Sequence, residues 1–248
     1  ACADLVARGD PRRFRAAMAA PLAAREVLLP LYAFNIEVSR APWVTEEPMI
    51  AEMRLQWWRD ALEEIAEGKQ VRKHEVTTPL AEVLHAPMAQ SLDRLVQARR
   101  WDIYKDAFED ADHFDHYLKM TGGLLMWTAA HLLGAKINTT DRVFALGKAT
   151  ALVRFFKAVT ELEARGRIPL VDGRTENIKT LARNARFALP QMQGLRAALP
   201  KPARGALLEA WETEPLLNQI AHNPGRVADG TIGLSEFRKR TRLIRWAL

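Results

Sequence analysis

Among the residues able to carry chemistry, the six histidines at 74, 85, 113, 116, 131 and 222 come first. His113 and His116 stand about one helical turn apart beside Asp112 and Asp115, a spacing that presents two imidazoles on one face. A metal site needs a third ligand and none follows, so an exposed polar helix start explains the pair more simply. The single cysteine, Cys2, excludes an internal disulfide and a cysteine-rich metal site. The sequence contains no phosphate loop, no G-x-G-x-x-G, no nucleophile elbow and no H-E-x-x-H. A different kind of signal is Gly122-Gly123 inside DHFDHYLKMTGGLLMWTAAHLLG. Two glycines in an apolar helix cost roughly 1 kcal/mol each relative to alanine. Their presence predicts a close helix contact or a kink beside a cavity.

The elements that position these residues read as helices. In PMIAEMRLQWWRDALEEIAEG (48–68), Ile50, Met53, Trp57, Ala61 and Ile65 recur at helical steps, and Gly68 follows as a stop. This spacing puts Trp57 of the Trp57–Trp58 pair in the core. Asp141 reads as the N-cap of a long helix that ends at Gly166. Similar patterns predict helices over about 22–41, 79–100, 111–133, 175–188, 203–221 and 234–247. Pro30 predicts a kink or restart within the first of these, and Pro42 its end. Few segments alternate with period two, so no strand is predicted, and no linker or repeat divides the chain. The expectation is one all-α domain over 1–248.

Composition narrows the function classes. Of 248 residues, 48% are hydrophobic and 27% charged, a globular mix. No apolar run is long enough for a spanning helix. The N-terminal stretch lacks the apolar core of a signal peptide, and with one cysteine a cytoplasmic setting is the simplest expectation. The net charge of +6 suits an anionic partner. Its densest cluster is FRKRTRLIRW (237–246), where Leu243, Ile244 and Trp246 interleave with Arg240, Arg242 and Arg245. That segment reads first as a solvated helix end and second as a helix that docks on a membrane surface or a partner, leaving the protein peripheral to the membrane. No motif supports nucleic-acid binding.

Taken in order, LYAF (31–34), LQWW (55–58) with Arg59, Tyr117 to Gly122, LGKA (146–149) and Gly166-Arg167 resemble the squalene/phytoene synthase family. The resemblance covers nearly the whole chain and implies an all-α isoprenoid-synthase bundle around a central apolar cavity. Active members of that family condense two isoprenyl diphosphates head to head. Two aspartate-rich motifs on facing helices hold their Mg²⁺ ions. The metals neutralise the departing diphosphate as the allylic cation forms, and carboxylates one turn apart grip them together.

Carried over residue by residue, the first family motif falls on Tyr32 to Trp43. Tyr32 is kept and Asn35 lies on the same face. The diphosphate-binding arginine is Ile36, and the aspartates are Ser39, Arg40 and Trp43. The second motif falls on Ala151 to Leu162. Its glutamine is Ala151 and its asparagine is Arg154, while Lys157 keeps a positive charge and the aspartates are Ala158 and Leu162. Gly166 and Arg167 persist, but the following tyrosine of the pattern is Pro169. The resemblance therefore implies no metal site and no cofactor.

AFNIEV and EMRLQWWRDALEEI are similar to a divergent branch that includes the mitochondrial assembly factor of respiratory complex I and bacterial relatives. This implies a pseudoenzyme: a non-catalytic scaffold or lipid-binding assembly factor, with an isoprenoid or other lipid and respiratory-complex subunits as partners. Arg154 and Lys157 then read either as members of ordinary salt bridges, with Glu161 or other acids, or as a metal-free grip on an anionic head group. The alternative is a prenyltransferase of altered mechanism, for which Mg²⁺ would be expected.

Overall fold

The computed structural model describes residues 1–247. Fifteen α-helices succeed one another with no strand among the described residues. They are α1 (Cys2–Gly9), α2 (Pro11–Ala19), α3 (Leu22–Arg40), α4 (Pro48–Ala66), α5 (Thr77–Val83), α6 (Ala86–Ala98), α7 (Ala111–Leu118) and α8 (Leu124–Leu132). There follow α9 (Thr140–Ala164), α10 (Thr175–Phe187), α11 (Met192–Ala198), α12 (Lys201–Leu207), α13 (Thr213–His222), α14 (Gly225–Ala228) and α15 (Glu236–Ala247).

Two apolar clusters organise the bundle. The larger gathers α1–α6, α8, α11 and α12 around Leu28, Phe34, Leu92, Leu125 and Trp211. The smaller joins α7, α9, α10 and α13 around Phe155, Phe156, Ile178 and Leu217. α3 belongs to the first and most of α9 to the second, so the two long helices that carry the family's motif positions face each other across the seam.

Several local readings need correction. α1 and α2 occupy a stretch where the apolar periodicity gave no prediction, because each is short and arginine-rich. Pro11 starts α2 in the first-turn position that tolerates proline, and Asp10 caps it by accepting the Arg13 N–H at 3.0 Å. α3 runs through Pro30 without a restart, since α1, α2, α5, α8 and α12 all pack on it and hold it helical. It ends before Pro42 in a 3₁₀ turn, Ala41–Trp43.

The predicted helix over 79–100 is two helices, because Leu84 and His85 are extended and Pro87 opens the second. The one over 203–221 is interrupted by a 3₁₀ turn at Leu208–Ala210. Asp141 does not cap α9; it lies in the first turn, where its charge still suits the helix dipole. On α4 the buried residues are Ala51, Leu55, Trp58, Ala61, Leu62 and Ile65, so Ala61 and Ile65 are buried as predicted while Ile50 and Met53 face outward. Trp58 is therefore the core residue of its pair. Trp57 is half-buried with the Arg72 guanidinium 5.1 Å from its ring.

The Gly122-Gly123 signal is explained in full. Lys119–Gly123 forms a π-helical turn between α7 and α8, a feature that concentrates at functional sites. A Cβ on Gly122 would lie 2.8 Å from the Gly147 carbonyl oxygen of α9, and one on Gly147 would lie 2.9 Å from the Gly123 Cα. The two backbones touch there, directly beside a cavity.

Candidate functional site: a cavity closed by arginine–carboxylate pairs

α3 and α9 wall a cavity of about 430 Å³, within the range of small-molecule sites. From α3 come Asn35, Ile36 and Ser39; the 3₁₀ turn adds Trp43 and the π turn adds Thr121 and Gly122. From α9 come Gly147, Ala151, Arg154, Ala158 and Leu162, spaced at three and four residues and so on one face. Phe155 and Leu118 complete the apolar wall. The Asn35 side-chain oxygen is buried and has no hydrogen-bond partner among the described residues.

One end of the cavity is ionic. Arg154 donates to Asp10 at 2.5 Å and lies 3.6 Å from Glu209. Arg13 donates through Nε to the same Glu209 oxygen at 2.6 Å and lies 3.5 Å from Asp10. Two cations and two carboxylates thus satisfy one another, with the Glu209 side chain only 1% exposed. Burial pushes the Asp10 carboxyl up, but Arg154 and Arg13 outweigh it and hold it well below the usual carboxylate range. Tyr32 lies beneath this cluster, fully buried, with the Arg13 guanidinium 5.3 Å from its ring. Burial and then Glu209 push its hydroxyl well above its ordinary value.

The cavity lining carries a second network. Tyr117 donates to Asp102 at 2.9 Å, and Arg99 reaches Asp102 at 3.0 Å and the Tyr117 oxygen at 2.8 Å. The Trp43 ring is packed by two guanidinium groups, Arg165 at 5.0 Å and Arg167 at 4.8 Å from its centre. Arg167 also lies over Trp101 and donates to the main-chain carbonyls of Trp101 and Asp102.

Eight residues inferred from the sequence line this cavity: Asn35, Ile36, Ser39, Trp43, Ala151, Arg154, Ala158 and Leu162. Three do not. Tyr32 is beneath it, and Arg167 is held behind Trp43. Lys157 turns aside toward the Arg12–Glu212 pair, where burial first, and then Arg12, push its ammonium down to about 8.

Sequence reasoning missed Asp10, Arg13, Arg99, Asp102 and Glu209. Two of them left a trace. Asp10-Pro11 is a helix-start signature, and Glu209 is a lone acid within the apolar run ALLEAW.

The carboxylates present do not fit a Mg²⁺ pair. Asp10 and Glu209 are bound by Arg13 and Arg154, Asp102 by Tyr117 and Arg99, and Glu161 by Arg165 at 2.6 Å. No cluster of three acidic, histidine or cysteine side chains forms among the described residues. The facing positions that the family motifs assign to aspartates are filled by Ser39, Arg40, Trp43, Ala158 and Leu162.

Two long helices facing each other across such a cavity define the all-α isoprenoid-synthase fold. A dehydrosqualene synthase, crystallised with a ligand, superposes with a TM-score of 0.79 at 16% identity, over 99% of this chain and 93% of its own. A squalene synthase from Alicyclobacillus acidocaldarius gives 0.74 at 16% identity, over 89% and 92%. The squalene/phytoene synthase profile matches residues 6–171, and the chain belongs to that family.

Among curated proteins, the Drosophila melanogaster homolog of NADH dehydrogenase (ubiquinone) complex I assembly factor 6 is 28% identical over 178 residues, 68% of this chain and 53% of its own. The Mus musculus assembly factor 6 is 23% identical over 180 residues, 67% of this chain and 51% of its own. The chain spans about half the length of the curated relatives it matches. These relatives place it with the divergent branch of the family that includes the assembly factor.

Proposed function

We propose that this chain is a non-catalytic member of the squalene/phytoene synthase family that serves the assembly of a membrane respiratory complex and holds an isoprenoid or other lipid in its cavity. The observation that carries this reading is the state of the cavity's charges. The positions that would grip metal are neutral or, at Arg40, basic, and the cations at the ionic end are neutralised by Asp10 and Glu209. A diphosphate entering here would meet no metal and would have to displace buried carboxylates from Arg13 and Arg154, a costly exchange. Arg154 is engaged in salt bridges, with Asp10 and Glu209. An apolar ligand needs neither displacement, since Ile36, Trp43, Phe155, Ala158 and Leu162 offer a wall for it.

The assembly role is supported by the likeness to assembly factor 6 of complex I, and the partner class is accordingly the subunits of such a complex. No helix among the described residues is long and apolar enough to cross a membrane, so contact with a membrane complex would run through the protein's surface. Native mass spectrometry on protein purified from its own host tests both halves of the proposal. The expected spectrum shows an apolar adduct at one copy per chain and co-purifying respiratory-complex subunits. A spectrum with neither, taken from cells that assemble the complex, would overturn it.

A further inference from the structure

α15 has two unlike faces. Its inner face is committed to the protein. Leu243 and Trp246 pack against the larger apolar cluster, Arg242 donates to the Trp211 carbonyl at 3.0 Å, and the Trp246 carbonyl accepts from Arg196 at 2.5 Å. The helix's one acid, Glu236, is consumed by Lys239 at 2.6 Å and Arg15 at 3.5 Å. Its outer face has none of these partners. Phe237 and Ile244, two helical turns apart and so on one line, are 76% and 61% exposed. Arg240 flanks that line on one side and Arg238 and Arg245 flank it on the other, all three exposed. None of the three guanidinium groups is in an ion pair or side-chain hydrogen bond among the described residues. On the other side of the helix, beside Trp246, a separate groove is lined by Arg183, Arg186 and the 95% exposed Phe187, and the acid in it, Glu214, stands 3.7 Å from Arg242.

We propose that this face docks on a bilayer surface that carries anionic lipids, with α15 lying in the plane of the membrane. An apolar line flanked on both sides by unpaired arginines matches the two layers such a surface presents, acyl chain below and phosphate head group above. An aqueous face gains nothing from exposing Phe237 and Ile244 among arginines. An acidic protein partner would satisfy the arginines but would not require the large apolar side chains between them. The inference is independent of what the cavity holds and of the assembly role.

Vesicle flotation of the purified chain tests it, comparing phosphatidylcholine alone with phosphatidylcholine that contains one-third phosphatidylglycerol. Wild type is expected to float with the anionic vesicles and to be released by salt. Removing all three charges (Arg238→Gln, Arg240→Gln and Arg245→Gln) should weaken binding about a hundredfold, because each basic side chain at an anionic surface contributes roughly fivefold. Phe237→Ser with Ile244→Ser should weaken it about tenfold or more. Both variants alter only exposed side chains, so their melting temperatures should match wild type. Equal binding to both vesicles, no binding to either, or variants that float like wild type would each overturn the proposal. Capture of an acidic peptide such as polyglutamate without any vesicle binding would overturn it in favour of a protein partner.

Discussion

Glu209 illustrates how a single residue redirects this cavity. It is buried, it bonds Arg13 and it approaches Arg154. Removing its charge leaves the buried Arg13 and the half-buried Arg154 guanidinium groups underpaired, so Glu209→Gln should lower stability by about 3 kcal/mol, measured by urea denaturation. Adding Arg13→Met should recover part of that loss, because an apolar side chain needs no counter-ion. Lys157 gives the opposite case. Its ammonium is pushed from 10.5 down to about 8, so the folded chain carries a strained charge below pH 8. Between those two values the unfolded chain binds more protons, and stability rises with pH. Lys157→Met should therefore raise the melting temperature at pH 7, and the gain should shrink above pH 8 and vanish above about 10.5. Asp10 behaves in the reverse sense. Its carboxyl is held below the ordinary 3.8, so its stabilisation is complete above that value and is lost as the pH falls below it. An acid titration by circular dichroism should show Asp10→Asn removing part of that low-pH loss. None of these pairings was legible in the sequence. Asp10 and Arg154 are far apart in the chain, and only the fold brings them within hydrogen-bond reach.

Helices were legible where long apolar periodicity set them, as in α3, α4 and α9. Legibility failed where a short-range feature overrode the pattern. Pro87 restarts a helix that periodicity alone carries through, and the 3₁₀ turn at Leu208–Ala210 interrupts another. The α4 stripe was partly misplaced because Ile50, Met53 and Trp57 are apolar at helical spacing yet belong to the outer or half-buried side. Glycine was the better guide. Gly122 and Gly147 permit backbone contact between the π turn and α9, and that contact fixes one wall of the cavity. Gly122→Ala should force the two segments apart at a cost of about 1–3 kcal/mol, the usual range for overpacking. Thermal denaturation would register the change, and a stability equal to wild type would show that the contact is not tight.

At the scale of the whole molecule, the fold of a prenyl synthase persists while the residues at its family-motif positions differ. Family membership was readable from ordered short motifs, and the substitutions at the aspartate positions were readable residue by residue. What replaced the metal site was not, because Asp10, Arg13 and Glu209 reach the cavity from α2, its cap and a turn outside both motifs. Arginine–carboxylate pairs fill the ionic end, and Trp43, held by Arg165 and Arg167, stands where an aspartate would. The central claim is that this cavity does not ionise an allylic diphosphate. Its most direct test incubates the purified chain with farnesyl or geranylgeranyl diphosphate and Mg²⁺ and measures released pyrophosphate. The account predicts release no faster than in buffer, with or without the metal. Release that depends on the protein and on Mg²⁺, with a C30 or C40 product, would contradict it.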